Sequence, residues 1–143
     1  MEIALDEARA AAARGEVPVG AVVTDAAGQV LARAGNRVEE RHDAAAHAEL
    51  LALRAAAAAR GDPRLPDCTL WVTLEPCPIC AQASSFFRVK RVVFGAYDPK
   101  GGGVEHGARI FAASSCHHAP EVIGGVRESE AAALLRDFFA RLR

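Results

Sequence analysis

A β-branched and aromatic run, Thr69-Leu70-Trp71-Val72-Thr73-Leu74, passes through Glu75-Pro76 straight into Cys77-Pro78-Ile79-Cys80. Such a run predicts a strand buried on both faces, and therefore a central one. Pro76 marks the turn into a helix, because proline is tolerated in a first helical turn. Two sulfurs three positions apart then share one side of that turn, and His47-Ala48-Glu49 upstream offers an imidazole as a third donor. At a helix N-terminus, unpaired N–H groups and the positive end of the dipole favour thiolate, the form that binds metal. A chain built around this stretch must bring two distant segments to one point at the end of a buried strand.

Zinc with three protein donors and an open fourth position activates water, whereas a structural site fills all four places with Cys or His. H-x-E combined with P-C-x-x-C is the pattern of zinc-dependent nucleobase deaminases. On that pattern His47, Cys77 and Cys80 hold one Zn²⁺ per chain, which lowers the pKa of a bound water to about 7. Glu49, two residues from a ligand and not itself a ligand, carries the water's proton to the ring nitrogen as ammonia leaves. The rival is a closed, non-catalytic zinc module that binds RNA or a partner, with the fourth place filled from Cys116-His117-His118 or by Cys68. Taken alone, Glu49 is an ordinary helix glutamate; its register beside His47 sets it apart.

With 143 residues, 51% of them hydrophobic, the chain predicts one domain over residues 1–143 with enough apolar material for a continuous core. Seventeen basic against 18 acidic side chains give a formal charge of -1, so any attraction to phosphate must come from local patches. Glu2, Asp6 and Glu7 occupy the first turns in place of a basic-then-apolar leader, and no apolar run approaches the ~20 residues that span a bilayer. A cytoplasmic protein without a membrane segment is expected, where the four cysteines stay reduced and suit a metal better than disulfides.

In chain order, the spacing predicts a helix from Glu2 to Arg14 ended by Gly15, then a hairpin of Ala21–Thr24 with Val30–Ala32 around Asp25–Gly28. Asp43 is placed to cap a helix running to about Arg60, with His47 and Glu49 in its first turns and Gly61-Asp62-Pro63 stopping it. Arg91–Ala96 is a fourth strand, Asp98–Gly103 a loosely ordered loop, Ala108–Ala113 a short helical segment and Val122–Val126 a weaker strand. Ser129 is placed to cap a last helix with an apolar stripe of Leu134, Leu135, Phe138, Phe139 and Leu142, the phenylalanines serving core or dimer packing. This order predicts an α/β sandwich around a mixed five-stranded sheet.

Glu16-Val17-Pro18-Val19-Gly20, Asn36-Arg37, His42-Asp43, the two metal motifs, Arg91–Ala96 and Asp137-Phe138-Phe139 together resemble the bacterial tRNA adenosine deaminases of the cytidine deaminase superfamily. The resemblance covers nearly the whole chain. It implies a three-layer α/β/α cytidine deaminase-like fold and a zinc-dependent homodimer that converts the wobble adenosine of a tRNA anticodon to inosine, with the base turned out into the pocket. It also implies that Asn36 bonds the base, that the backbone around Val17 and Ala48 lines the pocket, and that Lys100, Arg136, Arg141 and Arg143 approach the RNA backbone. By spacing alone Asn36 is a turn residue at a strand end, and the arginines of the last helix are a solvated face. Other members of the superfamily act on free bases or nucleosides such as guanine or cytosine, so that substrate class stays open. Phe86-Phe87 departs from the family, either stacking on RNA bases or narrowing the entrance, and Glu105 would repel a nearby phosphate.

Overall fold

Thr69–Leu74 lies at the centre of a five-stranded sheet in the computed structural model, which describes residues 1–143. The strands are β1 (Gly20–Thr24), β2 (Val30–Gly35), β3 (Thr69–Leu74), β4 (Arg91–Ala96) and β5 (Glu121–Ile123), in the order β2-β1-β3-β4-β5. β1 runs antiparallel to both β2 and β3, and β4 and β5 continue parallel to β3, so the sheet is mixed as expected. Five helices cover it: α1 (Glu2–Ala13), α2 (Val38–Arg41), α3 (Ala48–Arg60), α4 (Pro78–Phe86) and α5 (Glu128–Arg141).

Alternation along the strands decides which helix sits where. Ala21 and Val23 of β1, Leu70 and Val72 of β3, and Val92 and Phe94 of β4 join Ala48, Ala52, Leu53 and Ala56 of α3 and Ala81 of α4 in the main core. The other face carries α1 and α5, with Leu5, Ala96 and Ala131 in contact. That face is thin because its residues are small. A Cβ on Gly20 would overlap the Ala4 carbonyl oxygen and lie 2.5 Å from the Ala8 nitrogen, and one on Gly95 would meet the Thr73 carbonyl at 2.7 Å. The alanine-rich first helix thus rests directly on the backbone of β1.

Several local expectations need correction. The loop after β2 contains the one-turn helix α2, which no apolar periodicity announces. Asp43 does not cap the long helix: its Oδ1 accepts the Ala45 N–H at 2.9 Å and closes a turn, and α3 starts at Ala48. Pro78, not Pro76, is the first residue of α4, with Cys77 in the capping position before it. Ser129 lies inside α5, which begins after Arg127 in a left-handed conformation (φ 54°), its guanidinium held by Glu130 and Glu2. The apolar stripe of α5 is core only in part: Ala131 is the one fully buried residue of the helix and Leu134 packs against the Leu5–Ala96–Ala131 cluster, whereas Phe139 and Leu142 are exposed. Phe87 packs against the core, whereas Phe86 is exposed. No helix is long and apolar enough to cross a membrane.

Gly20→Ala is expected to lower unfolding free energy by about 1–3 kcal/mol, the cost of overpacking. Urea denaturation of the zinc-loaded protein measures it, and an unchanged midpoint would mean that α1 yields freely.

Candidate active site

The chain leaves β3 at Leu74 and folds sharply through Glu75-Pro76 into α4, placing Cys77 at the capping position and Cys80 in the first turn. His47 occupies the same position at the head of α3, with extended backbone (φ -77°, ψ 148°). Since α3 and α4 pack together on one face of the sheet, the two helix heads bring these side chains to one place. His47 Nδ1 lies 3.3 Å from Cys80 Sγ and 3.5 Å from Cys77 Sγ. A tetrahedral zinc with Zn–S of about 2.3 Å and Zn–N of about 2.0–2.1 Å would separate N from S by about 3.6 Å, so this donor set fits the ion.

The electrostatics fit as well. The Cys77 thiol is pulled down to about 4, first by its hydrogen bond with Cys80 and then, against the effect of burial, by His47. Cys80 is pushed up by the same bond to Cys77 and by burial, so the two sulfurs hold one proton between them. A divalent ion would replace that proton and relieve the pair. No fourth His, Cys or carboxylate joins the cluster. Cys116 is engaged elsewhere, donating to the His118 carbonyl oxygen at 3.2 Å beside Ser85 Oγ, and His118 Nε2 donates to the Val89 carbonyl at 2.7 Å. Cys68 is buried in the main core. The closed structural site therefore has no residue to close it.

The cluster opens on a cavity of about 660 Å³. Glu49, in the first turn of α3, lines this cavity although it is only 4% exposed, and burial raises its carboxyl above the usual range. Such a group takes and returns a proton more readily near neutral pH than an exposed glutamate. Asn36 lines the same space, its Oδ1 accepting the Ala48 N–H at 2.8 Å, which leaves the amide NH₂ as its uncommitted donor. Val17 lines the cavity too. Ala48 does not; its N–H serves to fix Asn36. The RNA-facing candidates Lys100, Arg136, Arg141 and Arg143 are exposed and outside the cavity lining. Instead α5 offers Phe138, Phe139 and Leu142 to the cavity, and neither Phe86 nor Phe87 reaches it.

Two buried carboxylates that spacing arguments passed over hold the walls. Glu16, 2% exposed, accepts the N–H groups of Glu39 and Glu40 at 3.0 and 2.9 Å and so caps α2. Glu75, also 2% exposed, accepts from Asp98 N at 3.1 Å, Glu105 N at 2.9 Å and His106 N at 3.1 Å, and pairs with His106 Nδ1 at 2.8 Å. Burial alone would raise its pKa, but these bonds outweigh it and hold the carboxyl below the usual range. The loop expected to be loose is thereby tied to the metal turn, and a Cβ on Gly103 would meet Pro78 N at 2.6 Å. A glutamate directly before Pro-Cys at a strand end is the signal that could have singled out Glu75; no local spacing marks Glu16.

The zinc-loaded protein is expected to carry one zinc per chain by elemental analysis. Cys77→Ser or Cys80→Ser should lose most of it and Cys116→Ser should keep it; loss in the last variant would restore the four-donor alternative.

The model of the cytidine and deoxycytidylate deaminase zinc-binding region matches residues 1–96. A tRNA-specific adenosine deaminase from Agrobacterium fabrum is 55% identical, covering 100% of this chain and 93% of that protein. A solved chain from work on A-to-I editing by tRNA:A34 deaminases at the wobble position of transfer RNA superposes with a TM-score of 0.92 at 54% identity, covering 94% of this chain and 97% of that one. A guanine deaminase from Nitrosomonas europaea superposes with a TM-score of 0.83 at 26% identity, over 97% and 82% of the two chains. A cluster with the geometry of a three-donor zinc site, inside the stretch matched by a zinc-binding model and on a fold shared end to end with its relatives, leaves one assignment: the chain belongs to the cytidine and deoxycytidylate deaminase family.

Proposed function

We propose that residues 1–143 form one zinc-dependent hydrolytic deaminase domain that converts adenosine to inosine at the wobble position of a tRNA anticodon and releases ammonia. The observation that carries it is the buried Glu49 carboxylate in the same cavity as the His47–Cys77–Cys80 cluster. The tRNA substrate draws its support from the full-length likeness to the Agrobacterium fabrum enzyme. His47, Cys77 and Cys80 would hold zinc, which when bound supplies the Lewis acidity that makes water nucleophilic near neutral pH.

Glu49 takes a proton from the attacking water and delivers it to adenine N1, breaking the aromaticity of the ring as oxygen adds at C6. It then passes a proton to the amino group, which departs as ammonia while the C6 carbonyl forms; adenosine plus water gives inosine plus ammonia. Asn36, held by Ala48 N–H, donates its NH₂ to the purine edge, and Val17 closes the apolar side. The cavity's carboxylates and absent Lys and Arg suit a neutral base better than a phosphate. A homodimer accords with Ile79 and Phe86, 56% and 68% exposed and seven residues apart on α4, two turns along one side. A tRNA substrate implies a cytoplasmic location. The likeness to guanine deaminase supports a second reading, a free purine as substrate.

Glu49→Gln is expected to keep its zinc while ammonia release falls about 10²–10⁴-fold, the usual contribution of general acid–base catalysis; undiminished release would remove Glu49 from the chemistry. Transcribed tRNA carrying adenosine at the wobble position, compared with a panel of free bases and nucleosides, separates the substrates. Inosine in the tRNA alone is the expected result, and turnover confined to small molecules would transfer the assignment to the second reading.

A further inference from the structure

A second concavity, of about 550 Å³, lies along the outer strand β2, between α1 on one side and α2 and α3 on the other. Arg33, Arg37, Arg41 and Arg54 line it, with Glu7 the only carboxylate in its lining. Arg33 Nε is bonded to Glu7 Oε1 at 2.5 Å and Arg37 Nη1 to Glu40 Oε2 at 2.6 Å. Arg41 and Arg54 are exposed, and their guanidinium groups enter no ion pair or hydrogen bond with the protein. The Glu40 carboxyl beside the groove is held below the usual range, first by the hydrogen bond from Arg37 and, against the effect of burial, then by the charges of Arg37, Arg14 and Arg41.

The rest of the molecule makes this concentration of charge informative. The formal charge of the chain is -1, and Glu16, Glu39, Glu49, Glu75 and Asp98 line the catalytic cavity with no Lys or Arg among them. A polyanion presenting one base to that cavity is repelled at its mouth and must be held somewhere else. Arg37 and α2 form the wall between the two spaces: Val38 and Glu39 line the cavity, Arg37 and Arg41 the groove. The separation is about the width of one helix, ~10 Å, which a few nucleotides of extended strand bridge. Guanidinium groups offer forked, bidentate contacts that match phosphate oxygens. By contrast Lys100, Arg136, Arg141 and Arg143 line neither space.

We propose that the groove lined by Arg33, Arg37, Arg41 and Arg54 binds the phosphates of the RNA strand flanking the nucleotide held in the catalytic cavity, with Arg41 and Arg54 as the main contacts. This rests on the RNA-editing function proposed above. Arg33 and Arg37 are held in place by their carboxylates and shape the floor, while the two unpaired arginines are free to turn towards the strand.

The test uses the full, zinc-loaded chain and a labelled RNA stem-loop with adenosine in the loop, titrated by fluorescence anisotropy between about 50 and 200 mM salt. The double variant Arg41→Ala/Arg54→Ala is expected to weaken binding about tenfold and to reduce the slope of log K against log salt by about 1.4–1.8, two phosphate contacts' worth. Inosine formation at saturating RNA should keep its kcat while KM rises, and Arg41→Lys/Arg54→Lys should recover most of the slope. An unchanged affinity and slope in the alanine variant overturns the proposal. So does a groove that binds inorganic phosphate, loses it in the variant, and leaves RNA binding untouched, for it would then be a small-anion site. Failure of the wild-type chain to form inosine in any RNA counts against the proposed function, whereas the anisotropy slopes judge the groove independently of turnover.

Discussion

The geometry of the site depends on two helix heads lying side by side above the carboxyl end of β3. His47 precedes α3 and Cys77 precedes α4, each in extended backbone at a capping position, and Cys80 follows one turn later. Neither helix head is capped by its own side chain. A cap serine or aspartate at 47 or 77 would serve its helix better than the residues present. The chain gives up that local stabilisation and places metal donors where the helix dipoles favour negative charge. The main core, shared by α3, α4 and the sheet, holds the helices in the register that this requires.

Much of this was legible in the sequence because the signals were local. Thr69–Leu74 and Arg91–Ala96 form strands with the bounds that composition suggested, and Gly61 ends α3 in a left-handed conformation (φ 67°). His47, Cys77 and Cys80 could be paired at a distance because only a metal gives a reason for that trio. The misses have a common cause. Asp43 and Ser129 are both good capping residues, but a propensity does not say where a helix begins: Asp43 closes a turn ahead of α3, and α5 starts from Arg127, two residues before Ser129. Helix α2 is too short to carry a period, and its stability comes from Glu16, more than twenty residues earlier, so no window along the chain contains both partners. The apolar stripe of α5 was real; what the pattern could not tell was that its C-terminal half faces a cavity and not a core.

Charge is distributed unevenly over a molecule that is nearly neutral as a whole. Carboxylates collect where a proton must move and where walls must be fixed by backbone N–H groups, and arginines collect along the β2 edge. The two regions share α2 and the residue before it as a partition, anchored by Glu16 on one side and by the Arg37–Glu40 pair on the other. A single turn of helix thus separates chemistry on a base from contact with whatever surrounds that base.

Glu75 has a consequence for how such a chain can diverge. Its carboxylate gathers the backbone of residues 98–106 through main-chain donors, which every amino acid except proline possesses. Side chains at Lys100 and Glu105 are therefore exchangeable while the path of the loop stays fixed. Selection for a new substrate can rewrite the exposed side chains of this loop one residue at a time, and the metal turn beneath it keeps its shape throughout.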